Sequence, residues 1–320
     1  MDTETSQQLT IDLAQTLFQD LCKIQTIDIK KSAQKLDVKR LSLQQALNWL
    51  TDTGLVLHSA GPERWRLQTP VQALSQLQHQ QIAGDLPLHY IFSTTSTNTE
   101  VVNNSILIAD HQSQGQGRSG RTWITPPGQS LCFSYCRLLP QDPQTLSGLS
   151  IVTALSVIHA LQPFDRVDGV QLKWPNDIYR LGKKAGGILL QLEPAHNNMH
   201  RMVIGVGLNW CAHQQLLDEI DQPCTNLVEN VENLDRAEFL TVLLNRLHTN
   251  VEQFLSHGLA EFLQDWRKYD FLHDKKIRIR HGLRSIEGQY QGLNSQGMLT
   301  IENNNELMTL ASGEVSVRPL

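Results

Sequence analysis

The segment GQGRSGRTW, residues 115–123, combines three glycines with two arginines between two runs that predict strands, SILIAD (105–110) and LCFSYCRL (131–138). The three glycines let the backbone take positive φ and approach a ligand closely, and successive N–H groups in such a loop can form an anion-binding nest. Arg118 and Arg121 add planar, permanently charged donors that suit phosphate or carboxylate. The segment indicates an anion-binding loop on a sheet, although a surface loop with incidental arginines fits the same pattern.

Composition describes an ordinary globular protein of two or three domains, with 320 residues, 40% of them hydrophobic and 18% charged. The formal net charge of −5 excludes a global basic field, so contact with nucleic acid needs a local patch. No apolar run approaches the length of a membrane span, and the polar N-terminus MDTETSQQ does not resemble a signal peptide. Five scattered cysteines without a CxxC pair favour reduced thiols and a cytoplasmic location.

The first zone, residues 1–70, predicts three helices followed by a hairpin. The runs LVLH and RWRL lie on either side of Gly61-Pro62, as the strands of a hairpin do. This order predicts a winged helix-turn-helix domain, with residues 29–53 as the helix-turn-helix pair. Apolar residues recur at helical spacing over residues 11–21, 30–36 and 43–50.

The middle zone, residues 71–270, alternates strand and helix patterns and predicts a mixed α/β domain with one core. Asp235 and Glu238 have the spacing of a capping box at the start of the second of two long helices. The predicted strands are 88–92, 106–110, 131–138, 170–173, 187–192 and 202–207, and the long helices are 144–161 and 235–256.

The last zone, residues 271–320, contains five short strand-like runs separated by turn residues. Five strands in so short a segment predict a small SH3-like β-barrel. The runs are KKIRIR, SIEGQYQGL, GMLTIE, ELMTLA and EVSVRP.

The stretch KWPNDIY (173–179) follows a predicted strand. Pro175 has no N–H for a central ladder position, so we expect the chain to turn there. Asn176 and Asp177 are common turn formers, which explains them without any function. The functional alternative is that Lys173 and Asn176 project from the end of the strand into a cleft.

In GKKAGGILLQLE, residues 182–193, the pair Gly186-Gly187 removes side chains beside an apolar strand. A flat ligand could therefore lie against the backbone, within reach of Lys183 or Lys184. The same lysines also fit a solvated hairpin tip.

Two further stretches admit a ligand. IGVGLNW (204–210) suggests close backbone approach, with Asn209 able to bond a base or a ribose, but no GxGxxG opens a helix here. STTSTNTE (93–100) offers hydroxyls and an amide to a neutral polar head group, or serves only as a helix N-cap.

Other catalytic signatures are absent from the sequence, which has no Walker A motif, HExxH or GxSxG. The twelve histidines lack metal-ligand spacing, so no protein metal site is predicted. We expect four of the histidines at the surface: His79, His111, His196 and His200.

The order of these motifs resembles one family from Ile11 to Arg318. A predicted winged helix-turn-helix is followed by STN, Q…GxGRxGRxW, KWPND, KAGGIL, GxGxN and a small β-barrel. This order resembles that of the bacterial bifunctional biotin–[acetyl-CoA-carboxylase] ligases, which also repress the biotin operon. The resemblance implies an α+β multidomain fold whose central mixed α/β ligase domain is similar to class II aminoacyl-tRNA synthetases.

The resemblance implies a two-step reaction. Biotin and Mg-ATP first give biotinyl-5′-AMP and pyrophosphate, and a lysine of the biotin carboxyl carrier protein then attacks the mixed anhydride. Cationic side chains and backbone N–H groups suit the first step, because it brings two anions together and needs no protein nucleophile. The resemblance further implies biotin operator DNA and a ligand-promoted homodimer as partners, and no membrane.

The resemblance also assigns residues to roles, with Lys184, three residues before Gly187, and Arg118 as the catalytic pair. The implied biotin-binding residues are Ser96, Thr97, Asn98, Gln112, Gln116, Gly117, Arg118, Lys184 and Gly187. The implied nucleotide-binding residues are Gly115, Arg118, Arg121, Asn176, Lys184, Asn209 and Arg318. Trp123 is expected to pack under the loop.

The sequence departs from the family pattern in the loop. Where the family often has GRGRRGR, this chain has GQGRSGR, so Gln116 and Ser119 replace arginines. Gln116 can still form hydrogen bonds but contributes no charge. We therefore expect activity with a less tightly held adenylate.

The predicted recognition helix, LSLQQALNWL, contains no basic residue. Cations before it suit phosphate contacts, and its amides and hydroxyl suit base edges. The predicted DNA-binding residues are Lys39, Arg40, Ser42, Gln44, Gln45 and Asn48. A helical domain kept only for packing is the alternative.

Three other functions remain compatible with the sequence. These are a biotin ligase whose helix-turn-helix no longer binds specific DNA, a lipoate or octanoate ligase of related fold, and a regulatory biotin sensor without turnover. KWPND together with the glycine–arginine loop argues against the lipoate or octanoate ligase.

Overall fold

A computed structural model describes residues 3–74, 77, 86–229, 234–281, 284–311 and 315–320 of the chain. Within these residues the chain forms a three-stranded, a seven-stranded and a five-stranded sheet, in that order. His79, expected at the surface, lies outside the described residues.

The N-terminal part contains three helices and a small antiparallel sheet. The side chain of Asp28 accepts a hydrogen bond from the Lys31 N–H and caps the second helix, which Asp37 ends in the left-handed conformation. The elements are α1 (Thr3–Ile24), β1 (Thr26–Asp28), α2 (Ile29–Leu36), α3 (Arg40–Asp52), β2 (Leu57–Gly61) and β3 (Arg64–Leu67). The three predicted helices and the hairpin are confirmed. Strand β1 was not predicted, because three residues are too few to show an alternating strand pattern.

The central part is a seven-stranded mixed sheet, and all six predicted strands and both long helices are present. The strands are β4 (Leu88–Thr94), β5 (Ser105–Gln112), β6 (Ser130–Leu139), β7 (Val170–Lys173), β8 (Asp177–Arg180), β9 (Lys183–Pro194) and β10 (His200–Asn209). The helices are α4 (Thr97–Glu100), α5 (Leu149–Leu161), α6 (Gln214–Asp218), α7 (Arg236–His257) and α8 (Ala260–Tyr269). The predicted helix at 144–161 is divided, since a 3₁₀ turn occupies Pro143–Leu146.

The strand order β4-β5-β6-β10-β9-β8-β7 positions the polar motifs. Among the seven described strands of this sheet, only β4 and β5 pair in parallel, and their register places Thr94 beside Gln112. Parallel strands end at the same edge of a sheet, so the residues after Thr94 meet Gln112 there. The chain turns between β7 and β8, and Asp177, assigned to that turn, begins β8 and pairs with Lys173.

Helices α5 and α7 supply much of the core behind this sheet. Asp235 caps α7 by accepting from the N–H groups of Ala237 and Glu238, as its position predicts. The stretch Pro143–Phe164, around α5, has the length and apolar composition of a membrane span, contrary to our expectation from the sequence. However, 72% of its most apolar window is buried in the protein, as in the core helix of a globular domain.

The C-terminal part is a five-stranded antiparallel sheet with the order β14-β13-β12-β11-β15. Asp270 connects it to the central part, because its buried carboxylate accepts hydrogen bonds from Trp266 Nε1 and Tyr290 Oη. Trp174 Nε1 donates to the carbonyl of Gly297 at 2.9 Å. The strands are β11 (Lys276–His281), β12 (Arg284–Leu293), β13 (Leu299–Asn303), β14 (Glu306–Leu310) and β15 (Val315–Pro319).

An aromatic cluster joins the N-terminal helices to the central sheet. Phe92 of β4 lies 5.4 Å from the ring of Phe18 and 5.8 Å from that of Trp49. Trp49 also meets His111 edge to face at 5.0 Å. His111 is buried and bonded to Ser93, so the expectation that it lies at the surface was wrong: β5 carries it under α3. His196 is exposed, whereas His200 is half-buried.

Burial makes His111 a source of pH-dependent stability. Burial lowers the pKa of His111 from 6.5 to about 4. The unfolded chain therefore binds this proton more readily, so the stabilising term is complete above pH 6.5 and is lost as the pH falls towards 4. We expect the free energy of unfolding to drop by about 3 kcal/mol over this window from His111 alone. Urea titrations of His111→Gln should show a flatter profile, and His58→Gln, at an exposed position, should follow the wild type.

Candidate active site

A cavity of about 510 Å³ opens on the central sheet and collects most of the predicted site residues. Its lining comes from the ends of β4 and β5, the loop 115–123, β6 to β10, and β15. The predicted residues that line it are Ser96, Thr97, Asn98, Gln112, Gln116, Gly117, Arg118, Arg121, Asn176, Lys184, Gly187 and Arg318.

The wall formed by β4 and β5 is neutral and polar. Gln112 Oε1 accepts from the backbone N–H of Thr97 at 2.8 Å and from its hydroxyl at 3.0 Å. Asn98 Nδ2 donates to Gln191 Oε1 at 2.7 Å, and Ser134 Oγ lies 2.6 Å from Asn98 Oδ1. These amides and hydroxyls hold one another in place and present a fixed set of donors and acceptors to the cavity.

Glycines of β10 make room for the side chains of this wall and of the loop. A Cβ on Gly205 would lie 2.1 Å from Asn98 Oδ1, and a Cβ on Gly207 would lie 2.5 Å from Trp123 Cε2. Close approach was predicted for the GxGxN motif, and Asn98 and Trp123 are the groups that use it. Trp123 thus packs beneath the loop, as expected.

The loop at residues 115–123 folds back on itself as a narrow hairpin. Gln116 pairs with Thr122, and the Gly117 N–H donates to the Arg121 carbonyl at 2.7 Å. Of the three glycines that permit positive φ, only Gly120 adopts it, at 72°, and the neighbouring Ser119 adopts it as well, at 57°. Gly115 is required for space instead, because a Cβ there would lie 2.4 Å from the Trp123 carbonyl oxygen.

The wall formed by β7, β8 and β9 is charged. Lys184 Nζ lies 2.7 Å from Asp177 Oδ1, and both side chains are largely buried. Lys184 also stands 5.9 Å from the Trp123 ring centroid. Lys183 is exposed and does not line the cavity, so of the two lysines only Lys184 is within it.

Arg118 connects the loop to this charged wall. One of its guanidinium nitrogens donates to Asn176 Oδ1 at 3.1 Å, and Asn176 Nδ2 donates to the Ile188 carbonyl. Burial lowers the pKa of Arg118, and the neighbouring Arg121 adds to the effect while Asp177 opposes it. The guanidinium is therefore held in place beside Lys184 and its partner.

The cavity concentrates positive charge in a chain that is acidic overall. Burial lowers the pKa of Lys173, and Lys184 and Arg318 add to the shift. Lys173 donates to the Tyr179 hydroxyl at 3.0 Å. The cations on the cavity are Arg118, Arg121, Lys173, Lys184 and Arg318, and its carboxylates are Asp177 and Asp221. This excess of cations suits a polyanionic ligand.

Two predicted site residues do not reach the cavity. Gly115 packs against the Trp123 carbonyl, as described above. Asn209 is buried at the end of β10. The amide of Asn209 donates to the Thr225 carbonyl at 3.2 Å and so fixes the segment after α6. In the same segment, the backbone of Cys224 forms an isolated parallel β-bridge with that of Lys184.

Sequence reasoning missed Asp177 as a site residue because Asn-Asp after proline is a common turn. Its spacing from Lys173 within KWPND could have indicated it, since a β-hairpin pairs the two residues. Ser134 gave no signal, because it lies inside a uniformly apolar run.

The predicted DNA-binding residues lie at the start and along one side of α3. Arg40 forms an ion pair with Glu63 at 3.3 Å. Gln44 Nε2 donates to Asn48 Oδ1 at 3.0 Å. Lys39, Arg40, Gln45 and Asn48 are exposed, whereas Ser42 and Gln44 are half-buried.

Comparison with known proteins agrees with this geometry. The chain is 28% identical over 292 residues to the bifunctional ligase/repressor BirA of Salmonella typhimurium, covering 89% of this chain and 91% of that protein. It is 27% identical over 270 residues to the biotin–[acetyl-CoA-carboxylase] ligase of Mycobacterium tuberculosis, covering 79% of this chain and 98% of the relative.

Among solved structures, the biotin protein ligase of Aquifex aeolicus in complex with biotin and ATP aligns with a TM-score of 0.62 at 28% identity. The alignment covers 73% of this chain and 99% of that one. The resemblance noted from the motifs is thus confirmed over most of the chain. Residues 91–209 match the model of the biotin/lipoate A/B protein ligase family.

Proposed function

We propose that the chain is an ATP-dependent, AMP-forming biotin–[acetyl-CoA-carboxylase] ligase. One observation carries this proposal: a single cavity has a neutral polar wall at Thr97 and Gln112 and a cationic wall at Lys184 and Arg118. A ligand with a polar head group at one end and a carboxylate at the other matches such a cavity. Biotin has these two ends, and the relatives named above support the assignment.

The neutral wall favours biotin over lipoate or octanoate. The ureido group of biotin offers both N–H donors and a carbonyl acceptor to Thr97, Asn98 and Gln112. An aliphatic acyl chain offers neither, so it lacks the hydrogen bonds to these groups that biotin can make, each worth about 1 kcal/mol.

The cationic wall explains the first chemical step. A biotin carboxylate oxygen attacks the α-phosphorus of ATP, the bond to pyrophosphate breaks, and negative charge grows on the phosphoryl oxygens. Lys184 and Arg118 neutralise this charge and hold the two anions together, while Arg121 and Arg318 suit the departing pyrophosphate. Asp177 positions Lys184, since their side chains already form an ion pair.

Magnesium fits the site as part of the nucleotide. No group of three or more His, Cys, Asp or Glu side chains arranged to hold a metal occurs in the described part of the chain. Mg²⁺ commonly uses one or two carboxylates together with substrate phosphates. We therefore assign Mg²⁺ to Mg-ATP, with Asp177 and Asp221 as the carboxylates available on the cavity.

Biotin-dependent exchange of labelled pyrophosphate into ATP tests the first step. We expect exchange with biotin and none with lipoate or octanoate. Exchange with octanoate would support the related acyl ligases instead. Tight biotin binding without exchange would support a regulatory sensor and contradict the ligase.

The residue at position 116 of the loop is expected to influence how slowly biotinyl-5′-AMP dissociates. Gln116 lines the cavity but is neutral, so it adds no attraction to the adenylate phosphate. We expect Gln116→Arg to slow dissociation of biotinyl-5′-AMP by about five- to tenfold, as one added charge-assisted hydrogen bond would. Stopped-flow chase with unlabelled biotin measures the rate. Slower release from the wild type than from the variant would contradict this role.

Gly205 is expected to control biotin affinity through Asn98. In Gly205→Ala the new methyl group collides with the Asn98 amide, which must move away from its bonds to Ser134 and Gln191. We expect the Kd for biotin to rise about tenfold or more, because one or more buried hydrogen bonds are lost. Isothermal titration calorimetry gives the Kd. In an Asn98→Ala background the Gly205→Ala change should add little, and a fully additive loss would contradict the mechanism.

We also propose a second activity, repression of the biotin operon by the N-terminal part. On this proposal residues 1–70 are a winged helix-turn-helix domain, 71–270 a catalytic domain similar to class II aminoacyl-tRNA synthetases, and 271–320 an SH3-like domain. The exposed cations and amides at the start of α3 support DNA binding. The repressor relative supports it as well.

Repression would require a dimer to meet a palindromic operator. We propose a cytoplasmic homodimer promoted by biotinyl-5′-AMP, with the biotin carboxyl carrier protein as the other partner. Sedimentation with and without biotin and ATP tests this, and a monomer in both conditions would refute it. A gel shift on biotin operator DNA separates the repressor from a monofunctional ligase.

A further inference from the structure

One face of α3 is exposed along its whole length. Leu41, Gln45, Asn48 and Asp52 follow one another at helical spacing, and all four are exposed. We call these four residues the outer face of α3. The opposite side is packed, because Leu43, Ala46, Leu47 and Leu50 belong to the N-terminal core.

Leu41 is the unexpected member of the outer face. Its side chain is 68% exposed, at the second residue of the helix. A lone exposed leucine is common and indicates nothing by itself. Here, however, it lies within one turn of Gln45, at the end of the helix where recognition helices contact base edges.

The amides beside Leu41 have a defined preference among bases. Asn and Gln form paired hydrogen bonds with the N6 and N7 atoms of adenine, and apolar side chains contact the C5-methyl group of thymine. Gln44 Nε2 donates to Asn48 Oδ1 and so orients the Asn48 amide. The Asn48 N–H₂ group then points away from Gln44 and can donate to a base.

Groups that read guanine are absent from the outer face. Arginine and lysine make the commonest specific contacts to guanine. The outer face has neither, and Arg40 beside it forms an ion pair with Glu63. Unpaired cations lie instead around the helix: within the described residues, Lys30, Lys31, Lys39 and Arg66 are exposed and take part in no ion pair. Such cations suit phosphates, which fix position without reading sequence.

Charge also fixes which end of α3 enters the groove. Asp52 lies at the C-terminal end of the outer face and repels phosphate, whereas Lys39 and the positive end of the helix dipole, which no side chain caps, attract it. The N-terminal end, with Leu41 and Gln45, is therefore the end directed at the bases.

We propose that the outer face of α3 reads A·T base pairs in the major groove, with Leu41 against a thymine methyl group and Gln45 and Asn48 on adenine edges. This inference rests on the proposed DNA-binding function and names the sequence class that the function recognises. Leu41 is a specificity-determining residue not included among the predicted DNA-binding residues.

The test uses the full chain with biotin and ATP at fixed salt, and a pool of random 30-base-pair duplexes. We expect the selected duplexes to share A·T-rich half-sites. Each thymine of one selected duplex is then replaced by uracil, which removes only the methyl group. At one position per half-site we expect fluorescence anisotropy to show binding weakened about fourfold, as for loss of one buried methyl group.

Leu41→Ala should bind the thymine and uracil duplexes equally, while Leu9→Ala, an exposed leucine on α1, should still discriminate between them. G·C-rich selected sites, or thymine preference that persists in Leu41→Ala, would overturn the inference while leaving DNA binding intact. Selection of no duplex at all would overturn the DNA-binding function together with it.

Discussion

Replacing Lys184 by alanine should lower the rate of biotinyl-5′-AMP formation by about a hundred- to a thousandfold. Lys184 places a largely buried ammonium group on the cavity, 2.7 Å from Asp177. The proposed function assigns it to charge that appears only in the transition state. Loss of a single preorganised donor of this kind costs about 10²–10³ in rate. Single-turnover release of labelled pyrophosphate measures this step directly.

Lys183 provides the matched control for this experiment. It is the same residue type at the neighbouring position, but it is exposed and lies outside the cavity. Lys183→Ala should therefore retain nearly the wild-type rate. Unchanged pyrophosphate release in Lys184→Ala, or an equal loss in both variants, would refute the assigned role.

Replacing Arg236 by methionine should lower the free energy of unfolding by about 3–5 kcal/mol. Arg236 and Asp110 are both fully buried, with 2.6 Å between the guanidinium nitrogen and the carboxylate oxygen. Arg236 also donates to the carbonyl oxygens of Gln72 and Ser130. Methionine fills similar space, but among the described residues it leaves the buried Asp110 carboxylate with the Tyr90 hydroxyl as its one side-chain donor. Urea denaturation gives the difference in free energy.

Arg137→Met is the control, because Arg137 pairs with Glu252 at the surface, where the carboxylate is 46% exposed. An exposed pair contributes about 1 kcal/mol or less. Adding Asp110→Asn to Arg236→Met should recover part of the loss, since it removes the buried charge. If Arg236→Met were no more destabilising than Arg137→Met, the buried pair would not stabilise the contact between α7 and β5.

Much of the site could be predicted because short motifs occur at strand ends. The STN motif and Gln112 meet because β4 and β5 run in parallel, and an α/β pattern makes such pairing common. Only the family resemblance, which implies a lysine three residues before Gly187, separated Lys184 from Lys183. The hairpin of KWPND then explains why its side chains reach the same cavity.

Other features could not be predicted, since they depend on contacts between distant segments. Asn209 was assigned to the nucleotide, but the segment after α6 folds over it and takes its amide. His111 was expected at the surface because it is polar, but Trp49, sixty-two positions earlier in the chain, packs against it. The Trp174 bond to Gly297 likewise joins segments that no local pattern relates.

Transfer of labelled biotin to a biotin carboxyl carrier domain is the most direct test of the central claim. We predict label on the carrier lysine that depends on ATP, with biotinyl-5′-AMP appearing before it and both lost in Lys184→Ala. The carrier with its lysine replaced by arginine should accumulate the adenylate and no labelled carrier. Biotin bound without ATP-dependent transfer, or transfer of octanoate in place of biotin, would contradict the account.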